Sequence, residues 1–338
     1  MRFDKEKKKS IIIYLLEKID RGDESISKSV SEAFSINQNT VHSYINELVE
    51  HDIIRRIKRN QYDLISKKFE YHLKRSAGQL DSDTYAYNAY LHQHIKDFPS
   101  NVQGIWSYAF SEMINNVMDH SGAENLDIYI EQNYLKTTAI IEDNGIGIFK
   151  KIKDYFDFDT LEDAICELFK GKLTTDSKNH SGEGIFFSSK MMDNFYIISD
   201  GKIFTTNKYD NSIINDITAK ENTGTCVFMS LSNFSVRQCR DIFDLYANVD
   251  GGFVKTTIPL KSIFDSAPVS RSQAKRLINR LEKFQEVIID FDDIPWIGQG
   301  FAHQLFVVFA NEHPEIKLIP INMNSDVTKM YTHVTSKI

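Results

Sequence analysis

Three polar residues suited to phosphate chemistry recur at helical spacing in the stretch SEMINNVMDH, residues 111–120. Glu112, Asn116 and His120 are four residues apart, so they share one helix face, while Met113 and Val117 face a core. A carboxylate can polarise a nucleophile, and an amide oxygen can bind Mg²⁺. A solvated helix face has the same spacing, so the stripe gains meaning only from the rest of the chain.

Glycine-containing motifs follow this predicted helix in a fixed order. The strand-like run KTTAIIE leads into DNGIG at residues 143–147. HSGEGIFFSS contains Gly182 and Gly184, and NTGTCVFMSL places Thr225 at the start of another strand. Each motif alone arises by chance, because glycine pairs often mark turns. Their combination and order are specific.

Together these motifs resemble the GHKL superfamily of ATPases and kinases, which includes gyrase, the ninety-kilodalton heat-shock chaperone, histidine kinases and MutL. The resemblance covers about residues 105–235. It implies a Bergerat-type α/β sandwich at residues 101–245 that binds ATP and Mg²⁺. The segment GEGIFFSS has larger side chains than the corresponding segment of kinases, and the lid is short. One alternative is therefore a protein in which ATP acts as a switch and is turned over slowly.

The resemblance also implies roles for the polar residues. Asp143 would accept a hydrogen bond from the adenine amine, with Thr225 supporting the same edge. Asn116 would bind Mg²⁺ beside the phosphates, and Glu112 would polarise the attacking water or hydroxyl. His120 would lie near the phosphates or cap the pocket.

The glycines would make room for the nucleotide. Gly145 and Gly147 would let the chain turn beneath it, where a Cβ would intrude. Gly182 and Gly184 would offer backbone N–H groups to the phosphates at the start of a helix. Three lid residues are further candidate phosphate contacts: Lys172, Lys178 and His180.

The first 66 residues read as three helices and a basic hairpin. The helices have apolar faces at Ile12, Leu15, Leu16 and Ile19, at Ile26, Val30 and Phe34, and at Val41, Ile45 and Leu48. This pattern resembles a winged helix-turn-helix domain that binds double-stranded DNA. The third helix would offer Gln38, Asn39, Thr40, His42, Ser43 and Tyr44 to the major groove. The wing would offer Arg55, Arg56, Lys58 and Arg59 to the backbone. A helical protein-binding module with a solvated hairpin is the alternative.

Charge and cysteine content limit the setting. Residues 1–66 carry 12 lysines and arginines against 11 aspartates and glutamates, whereas the whole chain has a net charge of −7. Only the beginning of the chain therefore has a net charge that is compatible with binding nucleic acid. The three cysteines form no paired motif, and no apolar run is long enough to span a membrane. We expect a cytoplasmic protein without a membrane partner.

Two further segments complete the chain. Residues 67–100 are polar and are predicted to be helical, as a linker or as the start of the ATP-binding domain. Residues 246–338 alternate strands and helices, which predicts a small α/β domain. This segment resembles a STAS-like domain of unknown function that occurs with GHKL proteins. The turn at residues 296–300 has no hydroxyl residue for a kinase to modify, so we expect a regulatory module or one that docks a protein partner.

The whole chain is thus expected to be a multidomain α+β protein. The favoured function is a regulator in which ATP controls a DNA-binding head by shifting its conformation or its assembly into a homodimer. One alternative is a protein kinase acting on serine, threonine or histidine of a separate partner. Another is an ATPase clamp that dimerises on ATP.

Overall fold

The computed structural model describes residues 4–173, 182–207, 224–248, 252–264 and 266–336. Within these residues the strands form sheets of two, three and six strands, surrounded by helices. The protein is therefore a mixed α/β chain.

Residues 4–66, called the head below, contain the predicted three helices and hairpin. The elements are α1 (Lys5–Asp20), α2 (Ile26–Phe34), α3 (Gln38–Glu50), β1 (Ile54–Lys58) and β2 (Gln61–Leu64). Most residues of the predicted apolar faces form the core of the head, together with Ile11. Ile12 and Phe34 are only partly buried and pack against this core. Leu135, in a turn of the large sheet, belongs to the same core. Lys136 pairs with Asp20 across this contact at 3.0 Å.

The large sheet is antiparallel throughout and has the order β3-β4-β5-β8-β6-β7. Its strands are β3 (Lys67–Lys74), β4 (Asn125–Gln132), β5 (Lys136–Asp143), β6 (Asn194–Ser199), β7 (Lys202–Thr205) and β8 (Thr225–Ser232). β5 and β8 lie side by side, and their register places Asp143 opposite Thr225. The ends of two strands therefore bring together residues 82 positions apart in the chain.

The helical prediction for residues 67–100 is wrong for its first part. Residues 67–74 form β3, the edge strand beside β4. Phe69, Tyr71 and Leu73 alternate with lysine, glutamate and histidine, which is the two-residue period of a strand with one buried face. A 3-10 turn (Arg75–Ala77) follows the strand, and the later part is helical from Asp83 to Ile95.

Helices cover the large sheet and supply its core. They are α4 (Asp83–Ala86), a π-helical turn (Tyr87–His92), α5 (Gln93–Ile95), α6 (Ser100–Asn115), a second π-helical turn (Asn116–Ser121), α7 (Ile148–Phe156), α8 (Leu161–Lys170), α9 (Gly184–Met191) and α10 (Cys239–Tyr246). The central helix α6 buries Trp106, Phe110 and Met113 against the sheet. One face of α6 is thereby fixed, and its polar stripe is held in a defined orientation.

The C-terminal unit is built on the parallel sheet β11-β10-β9. Its elements are β9 (Lys255–Pro259), α11 (Leu260–Ile263), α12 (Arg271–Ile278), a 3-10 turn (Leu281–Lys283), β10 (Glu286–Asp290), α13 (Gln299–His303), a π-helical turn (Gln304–Phe309), α14 (Ala310–Glu312), β11 (Lys317–Ile321) and α15 (Ser325–Thr335). The sequence pattern predicts a longer helix after Ser270. It ends at Ile278 because Arg280 has a left-handed backbone (φ 62°).

Candidate functional site

A cavity of about 380 Å³ lies between α6, the ends of β5 and β8, and helices α7 and α9. Eight of the nine residues predicted to bind nucleotide line it: Glu112, Asn116, His120, Asp143, Gly147, Gly182, Gly184 and Thr225. Four separate stretches of the chain supply them. The ninth, Gly145, lies next to the cavity and donates its backbone N–H to Asp143 Oδ1 at 2.7 Å.

The polar stripe of α6 continues through a π-helical turn, which the sequence pattern did not predict. Residues 116–121 follow the wider π geometry, so the four-residue spacing does not hold to the end. As a result both Asn115 and Asn116 line the cavity, together with Ser121. The site therefore offers two adjacent amides where the sequence predicted one.

Arg75 holds the end of this π-helical turn in place. Its Nε donates to the carbonyl of Ala123 at 2.7 Å, and its Nη2 donates to those of Val117 and Met118 at 3.1 Å. Ser121 Oγ donates to the Val117 carbonyl at 2.7 Å. Carbonyls at a helix end otherwise lack partners, so these bonds fix the position of His120.

Asp143 is a buried carboxyl at the base of the cavity, with 4% of its surface exposed. Burial raises its pKa from 3.8 to about 6, although the backbone N–H groups of Gly145 and Thr225 act in the opposite direction. The Thr225 hydroxyl accepts a hydrogen bond from the backbone N–H of Ile148 at 3.1 Å. Asp143 and Thr225 thus form a fixed polar pair that can recognise a donor group on a ligand.

The glycines of DNGIG make room for neighbouring protein atoms. A Cβ at Gly145 would overlap the Ser121 carbonyl oxygen. At Gly147, with a φ of 84°, a Cβ would lie 2.6 Å from a carboxylate oxygen of Asp200. Close packing of this loop against Ser121 and against the turn after β6 is therefore one reason for glycine at these two positions.

Glu112 lies against the first residue of α9. A Cβ on Gly184 would overlap Glu112 Oε2, so the carboxylate occupies the space that the missing side chain leaves. The start of a helix carries a partial positive charge, which favours a carboxylate there. The sequence predicts phosphates at this same helix start. A bound phosphate and Glu112 would therefore lie close to each other.

Of the predicted lid cations, the structure describes Lys172, which does not line the cavity. Lys172 points away, because its Nζ donates to the Lys283 carbonyl at 3.0 Å and lies over the rings of Phe253 and Phe284. Lys178 and His180 lie outside the described residues.

Sequence reasoning missed the contribution of α7. Ile148, Lys151 and Ile152 of this helix line the cavity. Their spacing of three and four residues places them on one helix face, and that spacing could have identified them. Apolar residues form much of the remaining wall: Leu168, Leu173, Ile185, Phe186, Ile197 and Val227.

One wall of the cavity is also tied to the C-terminal unit. Lys170, 1% exposed at the end of α8, pairs with Glu167 and donates to the Asn279 carbonyl at 2.6 Å. Arg280 approaches Glu167 at 3.4 Å. Phe253 packs against Phe186 with ring centroids 4.9 Å apart. The segment that borders the cavity is thus continuous with the core of the C-terminal unit.

The predicted DNA-contacting residues all lie on the surface of the head. In α3, Gln38, Asn39, His42 and Ser43 are exposed, and Thr40 is partly buried. Tyr44 is also partly buried, since Lys8 lies over its ring at 5.4 Å. The hairpin exposes its basic residues Arg55, Arg56, Lys58 and Arg59. Arg55 pairs with Asp63 at 3.2 Å, which partly offsets the charge of the hairpin.

Comparison with known proteins bears on the C-terminal unit. Residues 273–328 match the family described as STAS-like domain of unknown function (DUF4325). The chain therefore carries a C-terminal STAS-like domain, within the segment predicted from the sequence. No curated protein matches the chain.

The STAS-like domain begins with a capped helix. Ser270 Oγ accepts a hydrogen bond from the backbone N–H of Gln273 at 3.2 Å.

None of the helices in the described part of the chain has both the length and the apolar content that a membrane span requires.

Proposed function

We propose that the chain is an ATP-binding regulator, in which a GHKL-type site binds ATP with Mg²⁺ and controls a winged helix-turn-helix head. The observation that carries this proposal is the cavity itself. Residues selected by motif from four distant stretches meet around it. A chance set of glycine motifs and helix stripes has no reason to converge on one pocket.

Each part of the cavity suits one part of the nucleotide. Asp143 and Thr225 would hold the adenine edge, among the apolar residues Ile197 and Val227. Asn116 would supply a neutral oxygen to Mg²⁺. Glu112, beside the start of α9, would face the terminal phosphate.

The first test is ATP binding and turnover by the full chain with Mg²⁺. We expect wild type to bind ATP and Asp143→Ala to lose binding, while Asp154→Ala on the outer face of α7 binds like wild type. Failure of wild type to bind ATP would refute the proposal.

Terminally labelled ATP then separates a switch from an enzyme. Steady phosphate release that Glu112→Ala abolishes would identify an ATPase in which Glu112 activates water. Bound ATP without release would identify a ligand-controlled switch. The position of a carboxylate inside the cavity favours the enzyme as second candidate, and transfer of label to a protein in a lysate would identify it as a kinase.

DNA binding by the head is supported by the exposure of its basic hairpin. Replacing Arg55, Arg56, Lys58 and Arg59 with alanine should weaken binding to duplex DNA and flatten its salt dependence, because each lost phosphate contact lowers the slope by roughly 0.9. Lys317→Ala with Lys329→Ala, in the STAS-like domain, serves as control. If the hairpin variant binds DNA like wild type, the head is a protein-binding module.

A further inference from the structure

A cavity for a nucleoside phosphate needs a positive charge to balance the phosphates. The sequence suggested Lys172 for this role, but its ammonium group donates a hydrogen bond to the Lys283 carbonyl of the STAS-like domain. Among the described residues that line the cavity, Lys151 is the only lysine or arginine. The geometry of α7 explains how this lysine reaches the site.

The start of α7 is fixed to the polar pair at the base of the cavity. The N–H of Ile148 donates to the Thr225 hydroxyl at 3.1 Å, and Phe149 and Ile152 are buried in the core. Lys151 lies on the same turn and extends along the cavity wall. Its Nζ donates to the His120 carbonyl at 2.5 Å. The ammonium group therefore lies beside the π-helical turn that follows α6, and its position is set by this turn and by α7.

This ammonium group can still bind a ligand. An ammonium has three N–H donors, of which the His120 carbonyl uses one. Burial lowers the pKa of Lys151, while the nearby Asp119 carboxylate favours the charged form. A partly desolvated cation interacts with an anion more strongly than an exposed one does.

We propose that Lys151 binds the phosphate chain of the nucleotide and makes the site select nucleoside phosphates over nucleosides. This inference rests on the proposed function, since it assumes that the cavity binds an adenine nucleotide. It differs from that proposal in assigning phosphate selectivity to α7, outside the motifs that the sequence identified.

Calorimetric titration of the full chain with adenosine and with ADP tests the assignment, with a chelator present so that no metal shares the phosphate charge. Wild type should bind ADP more tightly than adenosine. Lys151→Met should reduce this preference by about tenfold, the effect of one lost charge-assisted hydrogen bond, while adenosine affinity stays within about twofold. Lys151→Arg should retain most of the preference. Lys153→Met, on the same helix but outside the cavity lining, should behave like wild type.

The remaining outcomes separate the two proposals. An unchanged preference in Lys151→Met would overturn the role of Lys151 and leave the nucleotide site standing. An equal loss of adenosine and ADP affinity would show that Lys151 only holds the end of the site helix, which also overturns the inference. If wild type binds neither ligand nor ATP, the proposed function itself fails, and the assignment of Lys151 fails with it.

Discussion

Replacing Asp143 with asparagine should stabilise the protein at neutral pH, although it should remove the proposed ATP binding. The carboxyl is buried and its pKa is raised from 3.8 to about 6. The folded state therefore holds a proton on Asp143 between those pH values, where the unfolded chain has released it. Stability linked to this group is fully present below pH 3.8 and is lost as the pH rises through 6.

The size of this effect follows from the two pKa values. Their difference corresponds to about 3 kcal/mol, at roughly 1.4 kcal/mol per pH unit. Asparagine has nearly the same shape and does not ionise, so the variant avoids this penalty. Its amide offers one acceptor oxygen in place of two, so it accepts the Gly145 and Thr225 N–H groups less well, which subtracts an amount that does not depend on pH.

Urea denaturation of both proteins from pH 4 to pH 7.5, without nucleotide, measures the difference in the free energy of unfolding. Trp106, buried in α6, reports by fluorescence on the unit that contains Asp143. The advantage of Asp143→Asn should grow by about 2.4 kcal/mol over this range, since pH 4 lies just above the unfolded pKa of 3.8. Asp154→Asn controls for the loss of one negative charge. If the difference in the free energy of unfolding stays constant within about 0.5 kcal/mol, the reasoning is refuted, because burial then does not shift the pKa of the Asp143 carboxyl.

Three other predictions concern the same cavity and its wall. Adenosine affinity of wild type should fall about tenfold from pH 7 to pH 5, as Asp143 takes up a proton and stops acting as an anionic acceptor. Calorimetry with adenosine measures this affinity without titration of phosphates. An affinity that does not change with pH would contradict the role of Asp143 as acceptor. Glu112→Gln should bind a non-hydrolysable ATP analogue several-fold more tightly, because it removes a negative charge beside the start of α9 at Gly184; weaker binding would mean that the carboxylate supports the nucleotide directly. Lys170→Met should lower the free energy of unfolding by about 3 kcal/mol, since it leaves Glu167 buried beside one fewer cation. The double variant Lys170→Met with Glu167→Leu should recover most of that loss in the same denaturation assay.

Local patterns predicted much of the site, because its residues sit at regular positions in helices and at strand ends. Glu112 and Asn116 follow helical spacing, and Asp143 follows directly from an alternating strand. The π-helical turn after Asn115 could not be predicted, since it depends on Arg75 binding carbonyls more than 40 residues away. The direction of Lys172 depends likewise on a carbonyl of the STAS-like domain.

The strand at residues 67–74 is a different kind of miss. Its two-residue alternation of Phe69, Tyr71 and Leu73 was visible in the sequence, but the overall polarity of the segment favoured a helix. An edge strand has one face toward the core and one toward water, so its composition is polar even though its pattern is that of a strand.

The aromatic and charged contacts between α8, α9 and the C-terminal unit limit how this architecture can be cut or recombined. A fragment ending at residue 245, the predicted boundary of the GHKL-type domain, would lose Phe253 from its contact with Phe186. It would also lose the carbonyl of Asn279 that holds Lys170. The segment that closes the cavity would then expose apolar rings and a buried cation. For expression or for domain exchange, the part that contains the cavity and the STAS-like domain therefore have to be kept together in one fragment, with α8 and β9 taken from the same protein.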